Sequence, residues 1–340
     1  MFYGSMLGAL FLQTLVFCVI LCDGSNQDSR QKEFDKRDNV VLGVYVIIDP
    51  SIGNATEAGY INYTSSLLGG VNIKFWKIKK PVIKLGLIGL YVLNDTEVNE
   101  MLPLNNDNHL ELRSTWKSLL GFKARNETAN ISDVLYVLTK KKIFSSTKPP
   151  EILSGAASIR GVCSDDNIAV GNDVFGTYLG MDIFAKNMAR VLGAWSHECY
   201  QNYSGVFDDC HQRQLLSTLR RAWPYCSQHN TIDTTWMSGY HLPGEYFNYS
   251  AYCQGKGNET VQLEECEQEK KQQECRLCCS TTTLKEVIYY DAPDGTLCEN
   301  KTKGCLDKKC EVPHYKFMQA AHPGHTQRVN FNETTTTATG

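Results

Sequence analysis

Fourteen cysteines are distributed so unevenly that they divide this 340-residue chain before any other feature is weighed. Cys18 and Cys22 lie in an apolar N-terminal stretch. Cys163, Cys199, Cys210 and Cys226 are spread through the middle, and eight more crowd between Cys253 and Cys310. The twelve that follow the N-terminal stretch form an even set, which in an oxidising compartment reads as a disulfide framework. A segment so densely crosslinked can fold on little apolar core, because its bridges restrict the unfolded chain. The longer stretch before it must fold by burial. A zinc knuckle at Cys275-Arg276-Leu277-Cys278-Cys279 is the rival reading, and an exported chain favours disulfides over it.

Export is what the N-terminus implies. Residues 6–22 are almost wholly apolar and are followed by Cys22-Asp23-Gly24 and then by polar residues, the layout of a secretory signal peptide over residues 1–24. The run is short for a bilayer span of about 20 residues, so we expect no membrane association once the signal is removed. Ten glycosylation sequons, at Asn54, Asn62, Asn94, Asn126, Asn130, Asn202, Asn248, Asn258, Asn300 and Asn332, point to an extracellular glycoprotein. A net charge of -3 gives no reason to expect a nucleic-acid partner.

Apolar patterning then supplies a fold class. Residues 40–49 form a continuous β-branched run ending in Asp-Pro, suited to a strand buried on both faces. Tyr60 to Trp76 has helical spacing, and Val82 to Val92 and Ile131 to Leu138 read as further strands. Gly161 to Ser164 and Ile168 to Gly171 look like short strands or an edge ribbon, and Gly176 to Leu192 is a helix stopped by Gly193. Strands alternating with helices give an α/β fold, a mixed sheet packed with helices. We expect a flexible leader over residues 25–38, this domain over 39–228, a small disulfide-rich loop domain over 229–313, and a disordered Thr-rich tail over 314–340.

The order of the motifs carries a resemblance. The strand ending at Asp49 comes first, then Gly161-Val162-Cys163-Ser164, then a helix closing in Leu192-Gly193-Ala194. His197-Glu198-Cys199 and Phe207-Asp208-Asp209-Cys210 follow, and downstream stand Leu242-Pro243-Gly244-Glu245-Tyr246 and Asp294-Gly295-Thr296-Leu297-Cys298. This order, from Val40 to Cys310, resembles the reprolysin (adamalysin) branch of the metzincin metalloproteases, most of all the secreted salivary metalloproteases of ticks. The resemblance implies a metzincin-like domain followed by a cysteine-rich one, with Cys163 paired to Cys226 and Cys199 to Cys210. The eight downstream cysteines allow 105 pairings, which the sequence does not resolve.

Active relatives hold a catalytic zinc on His-Glu-x-x-His-x-x-Gly-x-x-His. Counting back from Gly193, the first His position is Lys186, the Glu position is Asn187 and the second His position is Arg190. His197 falls one residue beyond the third His position. Protonated Lys and Arg have no lone pair to offer a metal, and Asn is no base. The Met-containing turn of the family is missing between His197 and Cys210, and Met237 lies beyond Cys226. We therefore expect no zinc, no catalytic residue, and a pseudoprotease that works by binding extracellular or host proteins. An active zinc endopeptidase with non-standard ligands is the alternative. Asp208 and Asp209 could pair with Lys186 or Arg190, although a solvated acidic turn is the plainer reading. His211, His229, His241, His322 and His325 are expected at the surface, and Lys140 to Lys142 in a solvent-facing turn.

Overall fold

The computed structural model describes residues 32–76, 78, 81–145, 151–194, 207–226, 241–257, 262–266, 274–283, 285–299 and 301–313. Its fold is mixed α/β, followed by a cysteine-rich region of small sheets. The main sheet has the order β2-β1-β4-β8-β7. Its strands are β1 (Asn39–Ile48), β2 (Val82–Val92), β4 (Val134–Thr139), β8 (Ile168–Asn172) and β7 (Gly155–Ala157). The first four run parallel, and β7 closes the sheet antiparallel to β8. A second sheet joins β3 (Leu110–Glu111), β5 (Ile143–Ser145) and β6 (Glu151–Leu153).

Side chains alternate across β1 and β4 into two cores. Val44, Val46 and Ile48 with Val134, Tyr136 and Leu138 face one side, where α1 (Glu57–Phe75), α5 (Met181–Val191) and α6 (Asp209–Ala222) pack. Tyr45 and Ile47 with Leu135 and Val137 face the other side, covered by Leu119 of α3 (Leu112–Arg125). Covering both faces is what makes these strands near-continuous apolar runs. The short α2 (Asp95–Met101) and α4 (Glu127–Asn130) complete that second face's surroundings. Residues 32–36, expected to belong to a flexible leader, form a helical turn. Phe34 anchors this turn, 2% exposed with its ring 5.6 Å from that of Trp223.

Two expectations need correction. Residues 161–164 are a turn rather than a strand, with Arg160 and Cys163 at φ 62 and 58. The amides that would have joined a ladder go elsewhere: Arg160 N–H to Arg190 O, Val162 N–H to Val191 O and Cys163 N–H to Asp133 O. The helix expected from Gly176 starts at Met181. The buried Asp173 carboxylate accepts from Val174 N–H and Gly180 N–H and holds residues 173–180 in a compact loop.

The cysteine-rich region carries α7 (Pro243–Tyr246), α8 (Tyr249–Lys256), β9 (Leu263–Glu265), β10 (Arg276–Thr281), β11 (Val287–Asp291), β12 (Leu297–Cys298), β13 (Lys303–Leu306) and β14 (Lys309–Pro313). Bonds join Cys253–Cys279, Cys266–Cys278, Cys275–Cys305 and Cys298–Cys310. Cys163–Cys226 ties the loop after β7 to the end of α6. Cys210 is also disulfide-bonded. No helix among the described residues is long and apolar enough to cross a membrane.

The two regions interlock through glycines. A Cβ at Gly69 of α1 would lie 2.7 Å from His241 O, and one at Gly244 would lie 1.9 Å from Thr296 N. Leu242, fully buried, packs with Ile73, Leu306 and Val312. The Leu-Pro-Gly-Glu-Tyr and Asp-Gly-Thr-Leu-Cys motifs thus form a clasp on α1.

Candidate functional site

Helix α5 carries Lys186, Asn187 and Arg190, three of the four positions at which the resemblance expects a zinc motif. It ends as its sequence requires, with Gly193 at φ 81, Ala194 N–H bonded to Ala189 O and Gly193 N–H to Arg190 O. Those paired bonds are a Schellman stop, which needs a left-handed residue and so favours glycine. Lys186 and Arg190 stand one helical turn apart and are both half-buried. Asn187 between them is turned into the sheet. It is 2% exposed, and its Nδ2 donates to Tyr136 Oη at 3.1 Å and to Val170 O at 2.9 Å. Val170 O can only accept, which fixes the amide nitrogen on that side.

The slot that receives Asn187 is built by two glycines and an aromatic pair. Gly155 of β7 and Gly171 of β8 are register partners. A Cβ on Gly155 would lie 2.6 Å from Asn187 Nδ2, and one on Gly171 would lie 2.1 Å from Tyr136 Oη. Tyr136 stacks on Phe184 of α5, with centroids 3.7 Å apart. Burial pushes the Tyr136 phenol well above its usual range, against the smaller opposing effect of Asn187. The amide therefore stitches α5 to the centre of the sheet.

Lys186, Asn187 and Arg190 do not fit a zinc ion. None supplies the neutral imidazole or carboxylate that such a site takes, and two fixed cations oppose a divalent charge. Among the described residues, the clusters with ligand-type spacing are Cys275/Cys298/Cys310 and Asp133/Cys163/Cys226. All five of those cysteines are in disulfides.

Beside this helix runs the free edge of the sheet. Asn172 N–H bonds Ser154 O and Ser158 N–H bonds Ile168 O, so the even-numbered residues of β7 face β8. The N–H and C=O groups of Gly155 and Ala157 point away from it. Among the described residues no strand pairs with that outer edge. Ile152 and Ile159, 59% and 61% exposed, flank it. Neither β7 nor its free edge can be read from Gly-Ala-Ala, which has no strand signature.

Other singled-out residues have structural work. Asp208 caps α6, accepting from Cys210 N–H and His211 N–H, and Asp209 opens that helix. His211 is buried rather than superficial, 2.6 Å from Asp208 and edge-on to Phe207. Backbone and imidazole donors hold the Asp208 carboxyl below its ordinary value, against an opposing desolvation that is the largest single influence. His241 is half-buried and bonds Glu245 at 2.9 Å. Lys141 is tied to buried Asp49 at 3.4 Å, so the lysine turn is only partly solvent-facing.

Five sequon asparagines, Asn54, Asn62, Asn94, Asn130 and Asn248, are exposed. Asn94 and Asn248 use Oδ1 to cap α2 and α8, which leaves Nδ2 open for a glycan. Asn126 is half-buried, and its Nδ2 donates to Tyr45 Oη at 3.3 Å. His197, Cys199, Asn202, His229, Met237, Asn258, Asn300, His322, His325 and Asn332 lie outside the described residues, as do residues 1–31 and 314–340.

No family model matches the chain, and no curated protein does. A solved structure titled as that of a chaperone-substrate complex aligns at 10% identity and a TM-score of 0.36, over 56% of this chain and 36% of that one. The match spans little more than a third of that neighbour's length. Likeness at this level carries no argument about function.

Proposed function

We propose that the protein is a secreted, glycosylated pseudoprotease of metzincin type, which acts by holding an extended segment of an extracellular or host protein along β7. The observation that carries this reading is Asn187. At the position where the resemblance puts a catalytic Glu, the side chain is turned into the sheet and spent on Tyr136 and Val170. A group so placed cannot reach a substrate. Lys186 and Arg190, at the two His positions on the same helix, have no lone pair to give a metal.

The binding half rests on the edge strand. A short strand with outward backbone groups, flanked by exposed Ile152 and Ile159, suits β-augmentation. No sequon occurs between Asn130 and Asn202, so neither β7 nor α5 carries one itself. Five disulfides among the described residues support an extracellular setting.

The test is Ala157→Pro. Its outward N–H is removed while the pairing with β8, made by Ala156, is untouched. Peptides selected from an extended-peptide display library on the native protein should lose at least about ten-fold in affinity for the variant. Undiminished binding would place the partner's contact elsewhere.

A further inference from the structure

Where the two regions meet, a cavity of about 330 Å³ lies between the end of α1, the start of α5 and the cysteine-rich sheets. We propose that this cavity binds an acidic saccharide unit, through recognition separate from the β7 edge. The charge arrangement makes the case. Lys74 is neutralised by Asp182 at 3.5 Å and Asp294 at 4.0 Å, and Lys308 by Asp291 at 2.9 Å. Lys256 and Arg276 also line the cavity, and among the described residues neither has a carboxylate within ion-pair distance. Lys256 Nζ sits 5.4 and 5.3 Å from the ring centroids of Tyr252 and Tyr290. Lys256 is exposed as a residue, and the partial burial of its ammonium at the cavity lowers its pKa against the upward pull of Asp182 and Asp291.

A ligand must therefore bring an oxyanion to the ammonium and guanidinium, which can only donate. It must also bring hydroxyls, since Asp182 and Asp291 leave acceptor oxygens in the same cavity. Tyr290, half-buried in the lining, supplies flat apolar surface for a C–H face. A hexose ring carrying a carboxylate or sulfate meets all three demands and fits a cavity at the small end of ligand sites. Because the walls come from both regions, the ligand would span the clasp.

Calorimetric titration of the full secreted chain with glucuronate, glucose 6-sulfate, glucose and inorganic sulfate tests this. At least one acidic sugar should bind, with glucose and inorganic sulfate each about ten-fold weaker or worse. Preference for glucuronate assigns a carboxylated source, and preference for glucose 6-sulfate a sulfated one. Lys256→Met and Arg276→Met should each weaken binding about ten-fold, the usual cost of losing a hydrogen bond to a charged group. No binding, equal binding of glucose, inorganic sulfate matching the acidic sugars, or undiminished affinity in both variants would overturn the proposal. The ligand series on the unaltered chain decides the matter even if a variant fails to fold.

Discussion

The sheet region and the cysteine-rich region reach a stable fold by different routes. In the first, β1 and β4 are buried along nearly their whole length between two apolar cores, and among its described residues one disulfide is resolved with both partners. In the second, a core of Tyr252, Leu263, Leu277 and Ala292 is built largely around cysteines, and four disulfides close it. Burial tolerates altered chemistry on a helix surface, because α5 needs only its inward face to pack. That tolerance lets α5 carry Lys186 and Arg190 on one side and still anchor the sheet through Asn187. Crosslinking offers no such freedom, since each bridge is part of a small framework.

The largest test of this contrast is reduction. With reductant, amide exchange in β9 to β14 should become nearly unprotected while β1 and β4 keep most of their protection. Loss of Cys163–Cys226, which spans 63 residues, removes only about 4 kcal/mol of unfolded-state restriction. Simultaneous collapse of both regions would break the contrast. Next comes the clasp. Lys74→Met leaves buried Asp294 without its counter-ion, which should cost up to about 3 kcal/mol in chemical denaturation, and Asp294→Asn in the same background should recover part of it.

Within the sheet region, Asn187→Ala strands Tyr136 Oη in the interior and should cost about 2 kcal/mol. Gly193→Ala should cost a similar amount, about 2 kcal/mol, because φ is positive and the new Cβ would lie 2.2 Å from Thr218 Oγ1. A change below about 0.5 kcal/mol at Asn187, the range of ordinary surface substitutions, would mean that the amide is not a structural pin.

The smallest effect is in the pH profile. Asp173 is wholly buried, and desolvation lifts its carboxyl to about 6 despite hydrogen bonds from Tyr63 and two backbone amides. A raised folded pKa means its contribution is fully present below the unfolded value near 4 and is lost as pH rises through about 6. Asp173→Asn should flatten stability across that window relative to the native chain. An unchanged slope would show that the carboxyl titrates normally in the fold.

Strands β1, β2 and β8 and the inward face of α5 were legible because β-branched runs and a 3.6-residue period are local signals. Strand β7 was not, since Gly155-Ala156-Ala157 earns its place by leaving room for Asn187 and not by propensity. Residues 161–164 looked like a strand because their composition is apolar, whereas their amides are claimed by the end of α5 and by Asp133. His211 is expected at the surface from the sequence, which gives no local sign of its burial. Phe207 and the cap at Asp208 fold the preceding turn over the ring. At the site, the absence of His-Glu-x-x-His before Gly193 is legible by counting back along the sequence. What Asn187 does instead is not, because Tyr136 and Val170 lie 51 and 17 residues away in sequence.

The most direct test of the central claim is the zinc content of the secreted chain after equilibration with zinc and dialysis, read beside peptidase activity with and without chelator. The account predicts well under one-tenth of an equivalent (~0.1 at most) and no chelator-sensitive cleavage. Near-stoichiometric zinc with chelator-sensitive cleavage would contradict it.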